Sequence, residues 1–150
     1  MTTALQEIFD QTPHCLCGNL RMAARAVSAA YDDALRPIGL RVTQYSLLAA
    51  IAHQGPVECG KLAKVLGLDK TTLPRNLSPL LRRKLAVVEP GGDRRTKLVR
   101  VTPAGEKLLK DGYARWKNVQ GAFRKRMHDK EFDKTLRQLL RIRAAAQRTP

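Results

Sequence analysis

The chain has little of what usually announces chemistry or a compartment. Only three of its 150 residues are cysteine, an odd number and too few for a disulfide framework. A reducing cytoplasm is therefore the expected location. No apolar run reaches the ~18 residues that a membrane span needs. The opening stretch, MTTALQEIFDQTPHC, has no basic segment followed by an apolar one, so no secretory signal is expected. Catalytic signatures are missing too: there is no Gly-rich phosphate loop, no H-E-x-x-H, no G-x-S-x-G and no C-x-x-C. His14, His53 and His128 are scattered, and no paired carboxylates sit in an apolar stretch. Neither enzymatic activity nor a cofactor is expected.

Acidic residues are also in short supply. There are 28 Lys+Arg against 13 Asp+Glu, a formal net charge of +15 and a pI near 10.5. That balance favours a polyanionic partner, nucleic acid or an anionic membrane surface. The charge is uneven. Residues 1–60 have a net charge of −1, whereas 61–100 and 101–150 each carry +8. Both basic segments keep apolar periodicity, so the charge belongs to folded surfaces rather than to a disordered tail. Neither has a strongly apolar opposite face with Trp and Phe, which argues against a membrane partner.

At this length one domain is expected over 1–150. Residues 15–36 place Leu16, Leu20, Ala23, Val27, Tyr31 and Leu35 at three- and four-residue steps, an amphipathic helix ended by Pro37 and Gly39. Thr43 reads as the N-cap of a second helix closed by Gly55, and 59–66 as a short third helix closed by Gly67. The fourth lies in DKTTLPRNLSPLLRRKL, residues 69–85. Its period is helical, yet it contains Pro74 and Pro79. A start at Thr71 or Thr72 puts Pro74 in the first turn, where a missing N–H costs nothing. Pro79 should bend the helix near 75–79. LAVVEP (85–90) and TKLVRV (96–101) then read as a β-hairpin across GGDRR. Thr102 and Pro103 start a long helix to about 127, with Gly112 and Gly121 inside it. Asp129 reads as the cap of a last helix, with Phe132, Leu136, Leu139 and Leu140 on its inner face. Two short helices joined by a tight turn are a helix-turn-helix signal, and a hairpin after the second makes a wing. The fold class is therefore mainly α (α+β), a winged helix-turn-helix with flanking N- and C-terminal helices. The competing pattern is a small α-bundle with an incidental hairpin.

The stretches GLRVTQYSLLAAI, KLAKVLGLDKTTLPRNLSPLLRRKLAVV and DRRTKLVRVTPAGEKLL resemble the MarR family of bacterial winged-helix transcriptional regulators over about residues 39–109. The resemblance implies a homodimer with 13–36 and 103–147 as dimerisation helices and 39–102 as the DNA-binding part. It also implies repression or activation of a nearby operon, with repression the expectation for this chain, and a response to a small-molecule effector or an oxidant. Two departures stand out. The glycine that the family places before the strand is absent from KLAVV, and the wing, EPGGDRR, is short.

With double-stranded DNA as partner, the residues of 69–85 divide into positioning and reading. Thr71 and Thr72 sit where helix dipole and free N–H groups favour a phosphate, with Asp69 as a cap. Arg75 suits guanine and Asn76 suits adenine in the major groove. Arg82, with Arg83 and Lys84, suits phosphate, or forms a merely solvated basic face. In the wing, Asp93, Arg94, Arg95 and Lys97 are candidates. An arginine at a hairpin tip can enter a narrow minor groove. A carboxylate can fix such an arginine, and the resemblance assigns those roles to Asp93 and Arg95. An architectural nucleic-acid-binding protein with little sequence preference is the competing function, since bulk charge alone would serve it.

His14, Cys15 and Cys17 form the other unusual cluster. A thiol near a helix N-terminus ionises more easily, and Cys-x-Cys beside His suits a soft metal. The alternative is plain packing, because free cysteine behaves as a small hydrophobe. Cys59 reads as structural. An apolar effector pocket lined by Met22, Tyr31, Trp116 and Phe123 is a further expectation, against the alternative that these are core.

Overall fold

The computed structural model describes residues 3–69, 71–93 and 96–147. Among these residues seven α-helices and three strands follow in the order α1 (Thr3–Gln11), α2 (Leu16–Leu35), α3 (Val42–Gln54), β1 (Val57–Glu58), α4 (Cys59–Leu66), α5 (Thr72–Arg82), β2 (Ala86–Pro90), β3 (Lys97–Val101), α6 (Pro103–Met127) and α7 (Asp129–Ala146). The strands form one antiparallel sheet in the order β1-β3-β2. Register pairs Val88 with Val99 across the hairpin and Val57 with Val99 on the other side. The mainly α winged-helix expectation therefore holds, with a third strand that two residues of sequence do not announce.

The core lies among α3, α4, α5 and the sheet. Leu35, Leu48, Ile51, Leu62, Leu80 and Val99 are fully buried there. Leu73, Leu77 and Leu80 form the inner stripe of α5, so this helix is anchored by its own chain. The helix continues through Pro79 to Arg82, and Pro74 falls in its first turn as expected. It ends in a hydrogen-bonded reversal: the N–H of Leu85 reaches the Leu80 carbonyl at 2.9 Å and that of Lys84 reaches Leu81 at 2.9 Å. Lys84 occupies the left-handed position of that motif, with φ 56°. This is the position of the missing glycine. A lysine there bears a steric cost that glycine would not.

Long α6 is unbroken by its glycines, and two of them are there for close approach. A Cβ on Gly112 would lie 2.6 Å from the Tyr45 ring, and one on Gly105 only 2.1 Å from the Leu85 carbonyl oxygen. Thr102 caps this helix by accepting the Gly105 N–H at 3.1 Å while donating to the Lys84 carbonyl at 2.7 Å.

Three local expectations are corrected. Thr43 lies inside α3, whose N-cap is Arg41; the Arg41 N–H is taken by the Gln44 side chain at 3.0 Å. Asp129 is the first residue of α7 rather than its cap, which is His128 at φ 62°. The Asp129 carboxylate instead pairs with Arg124 at 3.2 Å, as Asp133 does at 2.8 Å, and the same guanidinium lies 4.7 Å over the Phe132 ring. Finally, α7 buries Phe132 but leaves Leu136, Leu139 and Leu140 exposed at 44%, 41% and 62%. These leucines have no inner face within one chain. Helix α1 was not anticipated at all.

Candidate nucleic-acid interface

With its leucines buried, α5 turns Pro74, Arg75 and Arg82 outward, and Thr71 just before it is exposed as well. Positions 71, 75, 78 and 82 share one face of a 3.6-residue period, and Arg82 donates to the Ser78 hydroxyl at 2.9 Å. That face presents guanidinium donors one and three turns from the helix start. Asn76 does not join them. It is half-buried and lines a recess of about 330 Å³ with Val42, Ser46, Leu66 and Leu68. Arg83 is diverted as well: its guanidinium donates to the Gly39 and Ile38 carbonyls, tying the end of α5 to the turn before α3.

The helix start has a specific lock. The Asp69 carboxylate accepts the N–H and hydroxyl of Thr71, both at 2.8 Å, and the N–H and hydroxyl of Thr72 at 2.7 and 2.9 Å. Led by the Thr71 hydroxyl, these four donors hold the carboxyl well below its usual range. Thr71 and Thr72 thus have their donors committed to Asp69 in this chain, rather than lying open to a phosphate.

In the wing, the Gly91 N–H donates to the Thr96 carbonyl at 2.8 Å and the Thr96 N–H to the Asp93 carbonyl at 2.9 Å, a tight closure. Lys97 is exposed at the start of β3. Arg94 and Arg95 lie outside the described residues. Arg100 is engaged across the hairpin by Glu89, at 2.6 and 2.9 Å, and this guanidinium pulls the Glu89 carboxyl below its ordinary value.

Lys61 and Lys64 are exposed on α4 and were not singled out from sequence. In a helix-turn-helix the first helix crosses the phosphate backbone. The signal was available: an i, i+3 pair of lysines on the outer side of a helix whose Leu62 and Ala63 are core.

The cysteine cluster is divided by burial. Cys15 and Cys17 are exposed and Cys59 is half-buried. The Cys15 sulfur accepts the Gly18 N–H at 3.4 Å at the start of α2. Burial pushes the Cys59 thiol pKa up. Among the described residues no three His, Cys, Asp or Glu side chains come together as a metal site, so His14, Cys15 and Cys17 do not form one within a single chain. Tyr31 is buried and its ring lies 6.1 Å from Phe123 and 6.5 Å from Trp116, while Met22 is exposed. Tyr31 thus packs against Phe123 and Trp116. An apolar cleft of about 380 Å³ is lined by Trp116 with Tyr45, Ser46, Ala49 and Tyr113. No helix among the described residues is long and apolar enough to cross a membrane.

No protein-family model matches the sequence. The chain is 34% identical to the M. tuberculosis transcriptional regulator MosR, solved in complex with DNA, with a TM-score of 0.82 over 89% of this chain and 96% of that one. A MarR-family transcriptional regulator from Rhodococcus sp. RHA1 matches at 28% identity and a TM-score of 0.70, covering 85% of this chain and 96% of that one. The uncharacterised HTH-type transcriptional regulator YwoH of Bacillus subtilis is 27% identical over 96 residues, 64% of this chain and 70% of its own length.

Proposed function

Because this chain belongs to the MarR family of transcriptional regulators, we propose that it acts as a homodimeric, sequence-specific repressor on a near-palindromic DNA operator. Each subunit contributes one winged helix-turn-helix, residues 39–102, and the helices of 13–36 and 103–147 join the two. The observation that carries this reading is the outer face of α5. Its inner leucines are fixed in the core, which leaves Arg75 pointing away from the protein on a helix of a size that enters the major groove.

The division of labour follows from geometry. Arg75 reads a base edge. Asn76 reads one only after leaving its recess, so its contribution is the smaller. Arg82, Lys97, Lys61 and Lys64 meet phosphates and set the register. Arg94 and Arg95 serve the minor-groove side, with Asp93 orienting Arg95. Thr71 and Thr72 serve the DNA through Asp69, by holding the helix start rigid, and reach a phosphate only when a hydroxyl turns away from the carboxylate. Two such heads in one dimer sit about 34–36 Å apart, one turn of DNA.

Release of the operator follows binding of a small ligand, an oxidant or a metal. Exposed Cys15 and Cys17 suit an oxidant, and two subunits together supply the thiols and imidazoles that one lacks for a metal. The cleft beside Trp116 suits an apolar ligand. Gel shifts with diamide, with copper and with an aromatic carboxylate separate the three.

A gel-shift titration with Arg75→Ala and with Arg95→Ala tests the DNA assignment. Each variant should weaken operator binding several-fold or more while leaving non-specific binding nearly intact. Unchanged operator affinity in both would overturn the assignment. A specific-to-nonspecific ratio near one in the wild type would favour the architectural reading instead.

A further inference from the structure

Arg82, Arg83 and Lys84 follow one another at the end of α5, and each has a different use. Arg82 stands on the outer face and donates to Ser78. Lys84 reverses the chain at φ 56°. Arg83 reaches back across the protein instead. Its guanidinium donates to the Gly39 carbonyl, and its other terminal nitrogen donates to the Ile38 carbonyl at 3.4 Å. Both carbonyls belong to the joint between α2 and α3, where Gly39 adopts φ 67°. A Cβ at Gly39 would lie 3.4 Å from the same nitrogen, so the guanidinium rests against bare backbone.

The joint is also held from α2. The Asp32 carboxylate accepts the N–H of Val42, the first residue of α3, at 2.7 Å. One short stretch, 36–42, therefore receives a carboxylate from α2 and a guanidinium from the end of α5. What the second link adds is direction. Leu73, Leu77 and Leu80 bury α5 in the head, but apolar packing is non-directional. A planar guanidinium on two carbonyls has a defined geometry. Arg75 stands about 12 Å along the helix from Arg83, at about 1.5 Å per residue. A tilt of about 10° at the Arg83 end carries Arg75 about 2 Å, more than half of the ~3.4 Å step between base pairs.

We infer that Arg83 is a positioning residue: by holding the Ile38 and Gly39 carbonyls it fixes the angle of α5 to α2, and so the distance between the two copies of α5 in a dimer. This role rests on the homodimeric repressor reading above. It takes Arg83 away from the phosphate contact that its charge suggests and makes it a determinant of half-site spacing.

The test uses the full chain as wild type, Arg83→Ala and Arg83→Lys. The probe is the DNA site that wild type selects from genomic fragments, made also with one base pair added or removed between its half-sites. Gel-shift affinities are measured at several salt concentrations, with thermal unfolding alongside. Wild type should prefer the selected spacing by about tenfold or more. Arg83→Ala should cut that preference to about threefold or less, with the salt slope unchanged because no phosphate contact is lost. Arg83→Lys, which can reach one carbonyl, should fall between the two. If Arg83→Ala does not fold, Arg83→Lys decides alone: an intermediate preference supports the role and a full one overturns it. An equal loss at every spacing, with the slope lowered by about 0.9, makes Arg83 a phosphate contact and overturns the inference. An equal loss with an unchanged slope and a lower melting temperature reduces it to a structural residue and overturns it too. So does an alanine variant that keeps the full preference. A wild type that selects a site but is indifferent to spacing overturns the positioning role and leaves sequence-specific binding standing. A wild type that selects no site overturns both.

Discussion

Helices α5 and α7 are both basic and amphipathic, yet they are finished in different ways. In α5 the apolar stripe is fully used: Leu73, Leu77 and Leu80 are buried and the cations stand outside. In α7 only Phe132 is buried, and three leucines remain in solvent. The first helix is completed by its own chain, and the second is not. In the proposed homodimer the shape of each reading head is then set by the subunit, while the distance between two heads is set by how the subunits pair. On that proposal, affinity for one half-site and spacing between half-sites are separable properties, lodged in different residues.

The comparison can be broken most forcefully at the two leucine stripes. Leu80→Ala should destabilise the fold by about 2–5 kcal/mol, read by denaturant unfolding, because the buried site cannot collapse fully. That loss should appear at every protein concentration. Leu140→Asp should leave the subunit folded and raise the dimer dissociation constant tenfold or more, seen by sedimentation. Operator binding would then fall at low protein concentration and recover at high. If both substitutions acted alike, the contrast between the helices would be lost.

Next in size is Arg75→Ala, at about 1–3 kcal/mol of discrimination lost at one base position. It should act through the half-site alone and leave the dimer constant untouched. A smaller effect is expected where α5 ends. Lys84→Gly should stabilise the subunit by up to about 1 kcal/mol, read as a rise in melting temperature, by removing a side chain from a left-handed residue.

Smaller again is the start of the helix. Asp69→Ala should lower the melting temperature at neutral pH through loss of four accepted hydrogen bonds. The sign with pH follows from the depressed folded pKa. The advantage of Asp69 is fully present above the unfolded value of about 3.9 and is lost as pH falls through the folded one. The gap between wild type and variant should therefore shrink only in strong acid.

The same contrast explains what the sequence made legible. Helix α5, the hairpin and α6 could be read because their periods are long and bounded by Thr72, Gly91 and Pro103. Strand β1 could not, since Val57–Glu58 is too short to show a period and exists only because β3 offers an edge. Asp129 resembled a cap because its residue type favours caps, but Arg124 competes for its carboxylate. Leu136, Leu139 and Leu140 were read as facing inward because periodicity reports a stripe and not what covers it. In the candidate site, the outward direction of Arg75 followed from the leucine spacing. The turning away of Asn76 towards Val42 and Ser46 and the diversion of Arg83 to the Gly39 carbonyl depend on tertiary neighbours from another helix and the turn before it, which no local pattern encodes.

In the proposed homodimer two self-completed reading heads, joined through their uncovered helices, recognise one DNA sequence. The most direct measurement selects bound genomic fragments and then compares affinity for the selected site with affinity for scrambled DNA at one salt concentration. The account predicts a near-palindrome bound about 10³-fold or more tighter than scrambled DNA by a dimer. A ratio near one, or equal binding by a monomer to a single half-site, would contradict it.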